Sequence, residues 1–345
     1  MRYTYINNVE QGERLGRHIF ASDGRVLLQE GVQLTVGLIS RLRHMGVEAL
    51  YIKDDRLKDV KIEEVVSETV KRSTIETLKE SFHFIQKGKT LDVQKVQKSI
   101  KSIIDEVLDS QFTLLSLTDI RTEDNDLFVH SVNVCIISTI IGVKLKLDRL
   151  KLQELATGAL LHDLGKIVPD EENPELPVYN DHTWKGFNVL RKNKEISTLS
   201  AHIALTHHEH VNGSGMPRQL EDDNIHLLSK IVAVANAFDR LVAPVDRAKA
   251  LFPYEACEHI MALTNTHFSH DVVWHFLRSI AFYPTGSQVK LSTGATGIVV
   301  GQHYGLPQRP IIRTFQMTRT GSTDYEVNHV DLANEMTIFI KDMVI

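Results

Sequence analysis

Residues 158–166 read GALLHDLGK. An apolar run closes on a histidine and an aspartate, and a glycine follows two positions later. The pattern predicts a helix ended by His162 and Asp163, with Gly165 breaking what comes next. A second helix end carries a related signature: AHIALTHHE closes on His207 and His208, and the loop VNGSGMP follows. His182 opens a third segment, DHTWKGFNVL, and His130 lies inside an apolar helix, LFVHSVNVCIISTIIGV. That helix and LSKIVAVANAFDRLV are apolar on nearly every face, so both belong inside a helical bundle. Helix ends are where side chains from different helices meet, and this set of ends decides the fold: helix after helix from Asn125 to about Phe282.

The flanks have other textures. Residues 1–57 read as a small α/β unit, with an Asp-Gly turn in HIFASDGRVLLQEG, a helix in TVGLISRLRHMG ending at Gly46, and a strand in VEALYI. Residues 58–122 carry two charged, helically spaced segments separated by KGKT, a pair suited to linking or to forming a homodimer. Residues 123–284 hold the helical bundle, and residues 285–345 turn to short β-rich runs between glycines and prolines, a small β module. The expected architecture is mainly α, flanked by the α/β unit and the β module.

At 345 residues and 42% hydrophobic content, the chain fills real cores. Lys and Arg total 39 against 44 Asp and Glu, so a net charge of -5 gives no general attraction to nucleic acid polymers or anionic lipid. The longest apolar run, VCIISTIIGV, is shorter than the roughly 20 residues that span a bilayer, so membrane insertion is not expected. Cys135 and Cys257 lack the spacing of a zinc site or redox pair, which points to free thiols in a reducing cytoplasm.

Adjacent residues on a helix diverge by about 100°, so His162 and Asp163, or His207 and His208, can serve different ions. Asp163 is placed to bridge two metals, with His162 on one and the His207/His208 pair on the other. Metal coordination lowers the pKa of bound water, so a hydroxide held between two ions attacks phosphorus at neutral pH. Imidazole mixed with carboxylate favours iron or manganese over magnesium, with zinc left open. Lys166 is either a phosphate contact or an ordinary surface lysine. Gly213 and Gly215 give the loop backbone freedom and Pro217 stiffens its exit, so the loop from Gly213 through Met216 to Pro217 is expected to shape the substrate pocket.

These motifs, HDLGK at 162–166 and HHEHVNGSGMP at 207–217, resemble the HD-GYP family, bacterial cyclic di-GMP phosphodiesterases within the HD metal-dependent phosphohydrolase superfamily. The order of pieces from His130 to Asp239 is similar too. The resemblance implies an HD-type bundle with two or three divalent ions, iron or manganese, and cyclic di-GMP as the partner, cleaved to pGpG or GMP. It places His130, His162, Asp163, His182, His207 and His208 on metal-ligand positions and Lys166 on a catalytic, phosphate-binding one. In members with three metals an acidic residue lies four positions before the first histidine; here that is Asp126, which also reads as a carboxylate favoured by the helix dipole.

Four departures stand out. The family's Gly-Tyr-Pro is Gly215-Met216-Pro217, so the phenol hydroxyl is lost. An aspartate ligand position holds Asn236, whose amide carries no charge, while Asp239 three residues on is left to a structural or other role. The expected phosphate-holding Arg and Lys positions hold Val245 and Ala248, with Arg247 and Lys249 beside them as substitutes. The segment after Lys166 is also short, IVPDEENPELPVYNDH. These departures support an alternative, a degenerate module that keeps metal or nucleotide and signals without turnover. A third reading is a phosphohydrolase acting on another nucleotide.

Overall fold

The structure is a computed structural model that describes residues 1–20, 25–47, 49–110, 113–116, 121, 125–169, 181–244, 249–317 and 325–344. The Asp-Gly turn expected near residue 23, the shortened segment over 170–180, and Val245, Arg247 and Ala248 lie outside the described residues.

The N-terminal unit pairs β1 (Arg2–Tyr5) antiparallel with β4 (Ala49–Ile52) and β2 (Ile19–Phe20) with β3 (Val26–Leu28). Helix α1 (Val36–His44) starts where the Thr35 hydroxyl accepts from the Leu38 amide and buries Ile39 and Leu42. These residues share a small core with Leu15, Ile19, Leu34 and Leu50.

The charged pair becomes α2 (Glu68–Gln86) and α3 (Val93–Asp109), capped by Ser67 and Asp92. Val96, Ile100, Ile103 and Ile104 of α3 recur at helical spacing and are buried, as are Leu78 and Phe82 of α2. They enter the same hydrophobic core as α4 (Asp126–Lys144) and α5 (Arg149–Leu161), a core that runs from Val65 to Phe282. The apolar side that the sequence leaves open for linking or dimerising is therefore used inside the chain. Helix α4 is long and apolar enough to cross a bilayer by composition, but 78% of its most apolar window is buried in the bundle. Its hydrophobicity serves core packing.

The bundle continues with α6 (His182–Leu190), α7 (Thr198–Thr206), α8 (Leu227–Val242), α9 (Pro253–Ala262) and α10 (His270–Leu277). After it, β5 (Gln288–Leu291), β6 (Thr296–Gly301), β7 (Ile311–Met317), β8 (Tyr325–Asp331) and β9 (Ile340–Met343) form one antiparallel sheet, ordered β8-β7-β6-β5-β9. Val289, Leu291, Val299 and Ile312 make its core. The two flanking units touch: the Tyr3 amide donates to the Gly286 carbonyl at 2.9 Å and Arg313 donates to the Arg56 carbonyl at 2.8 Å, while the same guanidinium forks onto Asp59, just past the N-terminal unit, at 2.8 and 2.6 Å.

Candidate metal centre

Four helices deliver the imidazoles. His130 lies one turn into α4, His162 caps the end of α5, His182 opens α6, and His207 caps the end of α7 with His208 beyond it. Gly165 brings α6 onto the end of α5. A Cβ there would stand 1.8 Å from the His182 carbonyl oxygen and 2.7 Å from the Gly186 amide nitrogen. Only glycine lets these backbones approach so closely, and the approach puts His182 against Asp163.

Two groups result: His130, His162 and Asp163, and His182, His207 and His208, each with ligand atoms within 4.8 Å of one another. The ring orientations are fixed from behind. His162 Nδ1 faces the Ala159 carbonyl at 2.8 Å, His207 Nδ1 the Ala204 carbonyl at 2.9 Å, and His130 Nδ1 the Asp239 carboxylate at 2.5 Å. An oxygen acceptor requires the proton on Nδ1, so each Nε2 turns a lone pair inward. The Nε2 atoms of all five rings converge: those of His130 and His162 stand 3.2 Å apart, His182 and His207 3.4 Å, and His182 and His208 3.2 Å.

Asp163 joins the groups. Its Oδ2 lies 3.5 Å from Nε2 of both His130 and His162, and its Oδ1 lies 3.5 Å from His182 Nε2 and 3.8 Å from His207 Nε2. The residue is 1% exposed, and among the described residues Oδ1 finds no hydrogen-bond donor. A buried carboxylate oxygen without a donor is costly, and inward lone pairs at such distances repel. A cation seated in each group resolves both features, so this donor set fits a metal site of imidazoles bridged by a carboxylate.

The electrostatics agree. Burial pushes His162 down to about 3 and His208 to about 4, lowers His182, and drives His207 well below the ordinary imidazole range. These rings are neutral at pH 7, as metal ligands must be. Burial works against ionisation of Asp163, yet His162, Lys166, His207 and His130 together hold its carboxyl well below the usual range.

Around the centre, Asp239 is wholly buried and takes donors from His130, Arg121 and Asn133. A carboxylate behind a ligand histidine fixes its tautomer and raises its basicity. The structural role left open for Asp239 is thus to orient His130. Asn236, one turn earlier on α8, is 8% exposed. Asp126 is engaged by Arg240 Nη1 at 2.9 Å and stands 3.6 Å from Arg121 Nη1, outside both groups. Lys166 Nζ lies 2.5 Å from Asp163 Oδ2 with its side chain 38% exposed at the rim. Lys249 is exposed on the connection from α8 to α9.

The loop after His208 folds back on its own helix end, with the Met216 amide donating to the His208 carbonyl at 3.0 Å. Gly213 uses the freedom expected of it, at φ +77°, whereas Gly215 is needed for space: a Cβ would stand 2.2 Å from the His210 amide nitrogen. Met216 is exposed, ahead of Pro217. Glu209 is nearly fully buried and accepts from the Arg218 and Leu220 amides at 2.7 and 2.8 Å, pinning the far side of the loop. Glu209, Arg121 and Arg240 escape a sequence reading because their partners are set by folding; the one local signal is a carboxylate beside two histidines.

Residues 118–272 match the HD domain family, and residues 288–345 match the KOW domain associated with HD domains. Residues 118–272 of this chain therefore form an HD domain, homologous at about 30% identity to HD-GYP cyclic di-GMP phosphodiesterases. A cyclic di-GMP phosphodiesterase of Pseudomonas aeruginosa is 29% identical over 69% of this chain and 60% of its own length. A cyclic di-GMP phosphodiesterase of Thermotoga maritima is 34% identical over 53% of each chain. A 3'3'-cGAMP-specific phosphodiesterase of Vibrio cholerae is 31% identical over 33% of this chain and 24% of its own. The chain therefore spans between a quarter and three fifths of the length of these curated relatives.

Proposed function

We propose that the chain is a metal-dependent phosphodiesterase that hydrolyses cyclic di-GMP to pGpG or on to GMP. One observation carries this reading: the two oxygens of buried Asp163 face two separate groups of inward-turned imidazole nitrogens. Bound there, divalent ions supply Lewis-acid polarisation of a phosphoryl oxygen and acidify water to a nucleophile at neutral pH. Mixed nitrogen and oxygen donors favour iron or manganese. His130, His162 and Asp163 would hold one ion, and His182, His207, His208 and Asp163 the other. Lys166, at the rim, is placed to swing from Asp163 to a phosphoryl oxygen as a compact positive charge. The loop from Gly213 to Pro217, with Met216 exposed at 58%, offers an apolar surface to a base. The cyclic dinucleotide substrate is proposed from the relatives, whose names carry cyclic di-GMP and 3'3'-cGAMP.

The test is hydrolysis of cyclic di-GMP by protein loaded with manganese or iron, beside the His162→Ala and Asp163→Ala variants. Linear product from the wild type and none from the variants is expected. Asn236 in place of a charged ligand favours a second reading, a signalling module that binds metal or nucleotide without turnover. Tight cyclic di-GMP binding with no product would select it.

A further inference from the structure

Arg240 follows Asp239 on α8, and its side chain is 25% exposed. Its Nη1 donates to Asp126 Oδ2 at 2.9 Å, and its Nη2 lies 3.5 Å from Asp163 Oδ2. Asp126 precedes His130 by four residues on α4, so both side chains lie on one side of that helix. The other oxygen of Asp126, Oδ1, stands 3.6 Å from Nη1 of Arg121, whose guanidinium is committed to Asp239. Two carboxylates converging at the edge of an imidazole cluster form a seat for a hard cation. In this chain the cation filling that seat is a guanidinium fixed to α8.

We propose that Arg240 is a tethered cation that occupies this seat, keeps Asp126 from coordinating, and so sets the number of metal ions the centre holds. The proposal rests on the metal-centre reading above. A guanidinium remains charged at any physiological pH, and its planar fork spans two carboxylates at once. It therefore keeps the seat closed to a further ion, as no neutral side chain would. Arg240 is a positioning residue acting through Asp126 and Asp163.

The test compares metal content after equilibration with Mn²⁺ and gel filtration, counted by elemental analysis. Arg240→Met keeps an apolar stem on α8 and removes the charge. It is expected to bind one ion per chain more than the wild type, and adding Asp126→Asn is expected to return the count to the wild-type value. Arg240→Lys, which restores a cation, should match the wild type. Equal counts in Arg240→Met and wild type overturn the proposal; should the methionine variant misfold, Arg240→Gln is read the same way. A wild-type chain without bound manganese marks failure of the metal centre itself, which is distinct from an unchanged difference between variants that do bind.

Discussion

Among the described residues, Asp163 has one oxygen on a lysine and the other facing imidazole nitrogens, and these neighbours hold its carboxyl well below the usual range although almost no water reaches it. The carboxylate that fixes His130 is equally committed. Asp239→Asn keeps the shape but removes the charge behind the ring, so metal affinity should fall about 10- to 100-fold, measured by competition with a chelating dye. Unchanged affinity would show that the bond to His130 does not tune the centre. The imidazoles also predict a pH dependence. The ordinary imidazole value is 6.5, and burial pushes His162 to about 3. Below pH 6.5 the unfolded chain takes up a proton there that the folded chain refuses, so metal-free protein loses stability as pH falls towards 3. The loss is about 2 kcal/mol for one such ring by pH 5. Denaturant midpoints at pH 7.5 and pH 5 check it; equal midpoints would contradict the neutral, buried assignment.

At the scale of elements, the contact between the end of α5 and the start of α6 carries the most risk. Gly165→Ala forces a Cβ against the His182 carbonyl, so α6 must move away. The expected cost is about 3 kcal/mol of stability, with His182 withdrawn from Asp163 and metal occupancy reduced. A variant that melts and binds as the wild type does would mean the helices separate without consequence. Local pattern was enough to find these helix ends: apolar runs closing on His162–Asp163 and His207–His208 are visible one segment at a time. What surrounds them was not. His130 meets Asp239 across 109 residues and Asp126 meets Arg240 across 114, and no window of sequence contains both partners. The same limit applies to α2 and α3. Their amphipathic spacing revealed helices with an apolar side, while the surface receiving that side, α4 and α5, is set by tertiary packing.

At the scale of the whole molecule, one bundle core presents the centre while two flanking units join each other through Tyr3–Gly286 and Arg313–Arg56. Ligands drawn from α4, the α5 end, α6 and the α7 end make metal binding a property of the folded bundle. Manganese should therefore raise the melting temperature by several degrees, since an ion that binds only the folded state stabilises it by mass action. His162→Ala should abolish that rise. Asn236→Asp should increase metal occupancy if position 236 joins the coordination sphere, and identical occupancy would remove it from the centre. Two ions bridged by Asp163 are the central feature of the site, so the most direct measurement is anomalous diffraction from crystals grown with manganese. Two peaks are predicted, roughly 3.5–4 Å apart, one among His130, His162 and Asp163 and the other among His182, His207, His208 and Asp163. Absence of anomalous density at these residues, or peaks confined to other surfaces of the chain, would contradict it.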